Sequence, residues 1–213
     1  MALSQKLYDA IVAGNAKVAE AAVREEIAAG TAPATLLADT MIPAMDEVGK
    51  LFEEEEYFVP ELLLAGRAMR AAMQPLRPLL AAAGAKPSGV VIVGTVQGDL
   101  HDIGKNLVAS MLEGGGFEVH DLGADVSPDK FIAAIRQYEP QIVCLSALLT
   151  VTMPAMKTTI DAITQAGVRN KVKVLIGGAP VNEHYARAIG ADGYGATAND
   201  AVALSRQLVE QAG

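Results

Sequence analysis

Apolar positions along the first 84 residues recur at helical spacing, and after that they gather into short runs separated by helical stretches. Leu7, Ile11 and Val12 begin the pattern, and Gly14-Asn15 breaks it. A second helix is predicted over Ala16 to Ala29, stopped by Gly30. Thr31-Ala32-Pro33 restarts the chain, and Ala34 to Phe52 carries Leu36, Leu37, Met41, Met45 and Val48 on one side. Phe58 to Leu80 is the next amphipathic stretch, with Pro60 tolerated in its first turn. Breaks this short favour antiparallel neighbours, hence a four-helix bundle over residues 1–84.

Gly84-Ala85-Lys86-Pro87-Ser88-Gly89 is a change of composition, and 85–89 reads as a linker. Beyond it the rhythm alternates. Strands are predicted at Val90–Val93, Phe117–His120, Ile142–Ser146, Val172–Ile176 and around Gly193-Tyr194. Helices are predicted at Ile103–Leu112, Pro128–Tyr138, Met153–Ala166 and Asn199–Gln211. Strands and helices of these lengths in alternation make a parallel sheet covered on both faces. The expected fold is therefore α + α/β: a helical bundle, then a flavodoxin- or Rossmann-like five-stranded domain over 90–213.

Composition narrows the partners. Apolar residues make up 51% of the 213, aromatics only 4%, and Trp is missing, so aliphatic packing dominates. The net charge is −8 and no basic run occurs, which argues against nucleic acid. No apolar stretch is long enough to span a bilayer, and Met1 to Lys6 holds no apolar signal core, so a cytoplasmic location with no membrane partner is expected. The single cysteine, Cys144, excludes a disulfide framework and, inside Ile142-Val143-Cys144-Leu145, reads as an inert core thiol.

The chemistry concentrates in Gly98-Asp99-Leu100-His101-Asp102-Ile103-Gly104-Lys105-Asn106, just after the first strand. An imidazole at a strand end, with a carboxylate two residues away, is a metal ligand and the partner that orients it. One His without a cysteine cluster does not make a zinc site, whereas a metal already held in a macrocycle needs only one axial ligand. A phosphate loop fails because the glycine spacing is one residue too long and Asn106 stands where Ser or Thr is required. The glycines also fail the dinucleotide fingerprint. An Asp99–His101–Ser146 triad lacks a nucleophile elbow around Ser146. Asp99/His101, Ser146 and Gly177-Gly178 all fall at predicted C-terminal strand ends, where open α/β sheets bind ligands.

These residues resemble the signature of cobalamin-binding domains, as in methionine synthase and the corrinoid proteins of methyltransferase systems. Asp99-x-His101-x-x-Gly104, Ser146-x-Leu148 and the Gly177-Gly178 pair occur in the family's order. Val48-Gly49-Lys50-Leu51-Phe52 and Phe58-Val59-Pro60-Glu61-Leu62-Leu63 are similar to its helical cap domain. The resemblance implies base-off cobalamin, with His101 as lower cobalt ligand in place of the cofactor's own base. Asp99 then holds the far side of the ring, and Thr152 continues the relay where methionine synthase has serine. It implies further cofactor contacts from Asp102, Ile103 and Gly104, from Ser146, Leu148 and Thr150, and from the close approach that Gly177 and Gly178 permit. Phe52 and Val59 would cover the methyl face.

The function implied is a methyl carrier, inactive alone, with a cap that swings off the corrin. Its implied partners are a substrate:corrinoid methyltransferase, a methylcorrinoid methyltransferase acting on tetrahydrofolate or a thiol, and a reductive activase. A small subunit of an adenosylcobalamin-dependent mutase and a cobalamin-responsive regulator are the alternatives. Plainer readings stand beside these: Phe52 and Val59 as core, Gly177-Gly178 as a simple turn, His120 and His184 as structural or exposed, Glu53–Glu56 as a solvated turn or a docking surface.

Overall fold

The computed structural model describes residues 4–211; Met1 to Leu3, on which part of the leader reading rests, lie outside the described residues. The chain divides into two compact units. One runs as far as Pro87 and includes Ser110–Gly116; the other comprises Ser88–Ala109 and the chain from Phe117 onward.

The first unit is helical: α1 (Gln5–Val12), α2 (Ala16–Ala28), α3 (Pro33–Leu36), α4 (Ile42–Glu53) and α5 (Val59–Ala82). Its core is aliphatic and sulfurous, with Leu7, Ile11, Val23, Leu36, Met41, Met45, Leu62, Met69 and Leu76 fully or almost fully buried. Gly14 turns the chain between α1 and α2 at φ +69°, and a Cβ there would sit 2.6 Å from Cβ of Leu64.

The predicted single helix over Ala34 to Phe52 is interrupted by a π-helical segment, Leu37–Met41, between α3 and α4. Pro43 explains it. Its ring has no N–H and crowds the carbonyl four residues back, and one wider turn lets the helix continue past it. Phe52 is only half-buried and Val59 is exposed, so neither is the core residue of the plainer reading. Glu53 to Glu56 are exposed; Glu53 ends α4, and Glu54 to Glu56 form the solvated turn after it.

The second unit holds β1 (Val90–Thr95), α6 (Ile103–Gly114, whose last turns group with the first unit), β2 (Glu118–Asp121), α7 (Pro128–Tyr138), β3 (Ile142–Ser146), α8 (Met153–Gln165), β4 (Lys173–Gly177), α9 (Glu183–Ile189), β5 (Gly193–Gly195) and α10 (Ala198–Glu210). The strands form one five-stranded sheet in the order β2-β1-β3-β4-β5. Every pairing is parallel. The chain leaves β1 for β2 on one side and returns past it to β3 on the other. The connections after β1 and β3 therefore diverge, opening a crevice at their C-terminal ends.

Helix α9 is absent from the sequence reading. It is bracketed by recognisable signals: Asn182, whose side chain accepts the N–H of Tyr185 at 2.9 Å, and Gly190 in the left-handed region. Among the described residues, no helix is long and apolar enough to cross a membrane.

Candidate cofactor site

Hydrogen bonds to two neighbouring segments shape the loop after β1. Val96 N–H donates to the carbonyl of Ser146 at 3.0 Å, and Asp99 N–H turns back to the carbonyl of Val96 at 3.1 Å. Gly98 stands at φ +85° in that turn. Its N–H donates to Asp125 Oδ1 at 2.7 Å, while Asp125 N–H donates to the carbonyl of Asp99 at 2.9 Å. The buried Thr95 hydroxyl donates to the carbonyl of His101 at 3.0 Å. The backbone of Asp99 to His101 is therefore held from below by Thr95 and from the side by Asp125. Sequence reasoning missed both residues. Thr95 extends the first apolar run and Asp125 follows the second strand, so both lie at the C-terminal edge where ligands bind, and that placement was the available signal.

Asp99 is completely buried, yet it is surrounded by donors. Oδ1 accepts the N–H of His101 at 3.0 Å and meets His101 Nδ1 at 2.8 Å. Oδ2 accepts the N–H of Leu148 at 2.8 Å and the hydroxyl of Thr152 at 2.7 Å. Burial alone would raise the carboxyl's pKa. The Thr152 hydroxyl, the two backbone N–H groups and the imidazole outweigh that and hold it well below the usual carboxylate range. An ionised Asp99 fixes the proton of the neutral imidazole on Nδ1 and leaves the lone pair on Nε2. The His101 side chain is 50% exposed, so this lone pair belongs to a ring that solvent or a ligand can reach.

The other predicted residues fall around this centre or in the helical unit. Asp102 is half-buried and its carbonyl accepts Asn106 N–H at 2.8 Å as α6 begins. Gly104 is exposed, and a Cβ there would meet nothing within 4 Å. Ile103, Leu100, Leu148 and Val151 present apolar side chains to solvent from the two loops that carry His101 and Thr152, and Thr150 is exposed among them. Ser146 ends β3 opposite Gly177 of β4. Gly178 stands at φ +128°, and a Cβ there would lie 1.9 Å from the carbonyl oxygen of Ala147, a close backbone approach of the kind expected at this pair. What approaches this glycine is the β3–α8 loop, the same loop that supplies Leu148 and Thr152 to Asp99. Phe52 ends α4 and Val59 begins α5 in the helical unit.

Cys144 corrects an expectation. It is half-buried on β3, not sealed in the core, although burial still pushes its thiol up to about 12. His120 stacks on Tyr138 with ring centroids 3.7 Å apart, and His184 is exposed. Among the described residues, no three His, Cys, Asp or Glu side chains come together to hold a bare metal ion.

The residues fit a macrocyclic metal cofactor. A single oriented imidazole supplies one axial donor, a fringe of exposed aliphatic side chains suits an apolar ring face, and Gly104 leaves room beside it.

Comparison with known proteins agrees. Two family models, both described as B12 binding domain, match residues 89–203 and 3–77. The trimethylamine corrinoid protein of Methanosarcina barkeri is 41% identical over 200 residues, covering 93% of this chain and 92% of that protein. Dimethylamine corrinoid protein 1 of Methanosarcina acetivorans is 38% identical over 208 residues, covering 97% of each. A cobalamin-binding protein from Desulfitobacterium hafniense superposes with a TM-score of 0.78 at 35% identity, covering 95% of this chain and 96% of that one. A chain of the methanol:cobalamin methyltransferase complex of Methanosarcina barkeri gives 0.86 at 30% identity, covering 96% and 78%. The chain belongs to the family of cobalamin-binding corrinoid proteins that includes the trimethylamine and dimethylamine corrinoid proteins, and its cofactor is cobalamin.

Proposed function

We propose that this protein is a cytoplasmic methyl carrier that binds cobalamin base-off through His101. The observation that carries the reading is the line from Thr152 through Asp99 to His101 Nδ1, which leaves Nε2 as a prepared donor on a half-exposed ring. Bound cobalamin supplies a nucleophilic cobalt that can accept a methyl group and give it up again. His101 would hold the cobalt through Nε2, with Asp99 keeping the ring's proton on Nδ1 and setting its basicity. Thr152 donates to Asp99 and moderates how strongly that carboxylate pulls on the ring proton. Ser146 would contact the displaced nucleotide tail, and Asp102, Ile103, Gly104, Leu148 and Thr150 would border the corrin; Phe52 and Val59 are the apolar residues that would cover the methyl face.

Nothing in this constellation activates a methyl donor or an acceptor, so both transfers fall to partners. One is a substrate:corrinoid methyltransferase, and the other passes the methyl to tetrahydrofolate or a thiol. A reductive activase would restore cobalt after stray oxidation. That relatives are named methylamine corrinoid proteins supports an amine as donor.

The test is electron paramagnetic resonance of the Co(II) state on nitrogen-15-labelled protein reconstituted with unlabelled cobalamin. A two-line nitrogen-15 splitting, lost in His101→Ala, is expected. A three-line nitrogen-14 splitting would mean that the cofactor keeps its own base, and would overturn the assignment.

A further inference from the structure

Among the described residues two charged side chains are buried, Asp99 and Lys105, and they flank His101 in the chain. Asp99 holds the imidazole. Lys105 bonds elsewhere: its ammonium pairs with both carboxylate oxygens of Asp121, at the end of β2, and donates to Asn106 Oδ1 at 2.7 Å. The lysine side chain is 2% exposed and the aspartate 40%. Ile103 and Gly104 are exposed, so Lys105 is the first buried residue of α6. The start of that helix is therefore anchored through an ion pair. A buried ion pair adds little net stability, because desolvation offsets the attraction; what it supplies is direction.

The turn after β2 grips the same segment a second time. Asp121 Oδ1 also accepts the N–H of Gly123 at 2.8 Å, and Thr95 N–H donates to the carbonyl of Gly123 at 3.0 Å, which ties this turn to β1. Asp125 stands in the left-handed region at φ +52°. There its side chain accepts Gly98 N–H and its own N–H donates to the carbonyl of Asp99. Such a conformation in a residue other than glycine is strained and persists only where its contacts fix it. The stretch 98–105 is thus held at both ends by residues 121–125, and His101 lies between the two grips.

We propose that Lys105 is a positioning residue for the axial ligand: its ion pair with Asp121 clamps the first turn of α6 and so fixes where the His101 ring stands. This rests on the base-off reading above. Asp99 orients the ring about its own bonds, and Lys105 sets the backbone that carries it. With Lys105 removed, the helix start loses its anchor and the imidazole is presented over a range of positions.

The test uses the full chain, nitrogen-15-labelled and reconstituted with unlabelled cobalamin, as wild type, Lys105→Met and Asp121→Asn. Urea unfolding of each apoprotein reads stability. A binding titration and electron paramagnetic resonance of the Co(II) state read the site. The two variants differ in what they leave behind. Lys105→Met leaves a carboxylate that already reaches solvent and should keep the wild-type urea midpoint. Asp121→Asn strips a buried ammonium of its counter-charge and should lower it. A positioning role requires the same change at the site in both: cobalamin binding about tenfold weaker, and the two-line nitrogen-15 splitting partly lost. Wild-type affinity and spectrum in Lys105→Met would overturn the proposal. A change at the site only in the variant whose urea midpoint falls would overturn it too, making the pair a purely structural one. A nitrogen-14 splitting in the wild type, or no binding by it, would overturn the base-off reading and this proposal with it. A nitrogen-15 splitting untouched by either substitution would sink this proposal alone.

Discussion

Replacing Thr152 with Val removes one donor from the buried Asp99 carboxylate and leaves the side-chain shape nearly unchanged. The bond is 2.7 Å long, and both residues are buried, at 8% and 0% exposure. A hydrogen bond to a charged group contributes about 1.5–3 kcal/mol. Three donors remain on Asp99, so the charge is not stranded, and a loss of about 2 kcal/mol is expected. The effect has a pH signature. The carboxyl of Asp99 titrates lower in the folded protein than in the unfolded chain. Stabilisation by its donors is therefore complete above the unfolded value of about 3.9 and is lost as pH falls toward the folded one. The unfolded value is common to wild type and Thr152→Val and cancels between them, so the gap should hold from pH 7 down to about pH 3.5 and narrow only nearer the folded values. Urea unfolding of the apoprotein, followed by circular dichroism from pH 7 to about pH 3.5, measures it. Thr152→Ser keeps the hydroxyl and should lose less. A gap below about 0.5 kcal/mol, a gap that already closes between pH 7 and about pH 3.5, or a serine variant as weak as the valine one would refute the reasoning.

Other perturbations separate folding from binding. Gly104→Ala has open space for its Cβ and lies in the first turn of α6, so stability should hold or rise by up to about 1 kcal/mol while cobalamin titration shows weaker binding. Gly178→Ala combines φ +128° with a Cβ 1.9 Å from the Ala147 carbonyl, and urea unfolding should show a loss of about 3 kcal/mol or more. Asp125→Ala strips the Gly98 N–H of its partner; fast amide hydrogen exchange at Gly98 and Asp99 is expected, and exchange as slow as in wild type would count against the bracing role. The Cys144 thiol, raised to about 12, should react with a disulfide reagent at pH 8 far more slowly than in urea. Its folded value exceeds the unfolded one, so its contribution to stability is complete below about pH 8.5 and is lost as pH rises toward 12.

The parts of this protein that repeat a period were readable in the chain. Helix α7 and strand β3 fall on the predicted residues, because Phe131, Ala134 and Ile135 keep helical spacing and Ile142 to Ser146 is a compact apolar run. The Asp99–His101 pair was readable for a similar reason: both partners sit in one short loop. Features that depend on distant neighbours were not. The π segment before Pro43 reflects how the helix passes a missing N–H, which apolar spacing does not register. Thr95 and Asp125 act through backbone groups of another segment, leaving no spacing to detect. Cys144 sits in an apolar run identical in kind to a core strand, and its partial exposure depends on what covers its face of the sheet, which the run does not record. Gly178 was noticed for its type, but its neighbour, Ala147, emerges only once β3 and β4 pair.

Asp99 also joins segments far apart along the chain, since the donors on its Oδ2 lie 49 and 53 residues downstream. It works as a non-covalent staple between the loops that follow β1 and β3, two strands paired side by side. The position of the imidazole is thus inherited from the repeat distance of the sheet and not from the conformational preferences of a loop. Such an arrangement fixes chain length very unevenly. A single residue inserted between Thr95 and His101, or between Ser146 and Thr152, would carry donor and acceptor out of register. The turns at the opposite edge of the sheet carry no such restriction, and natural variation in length should collect there.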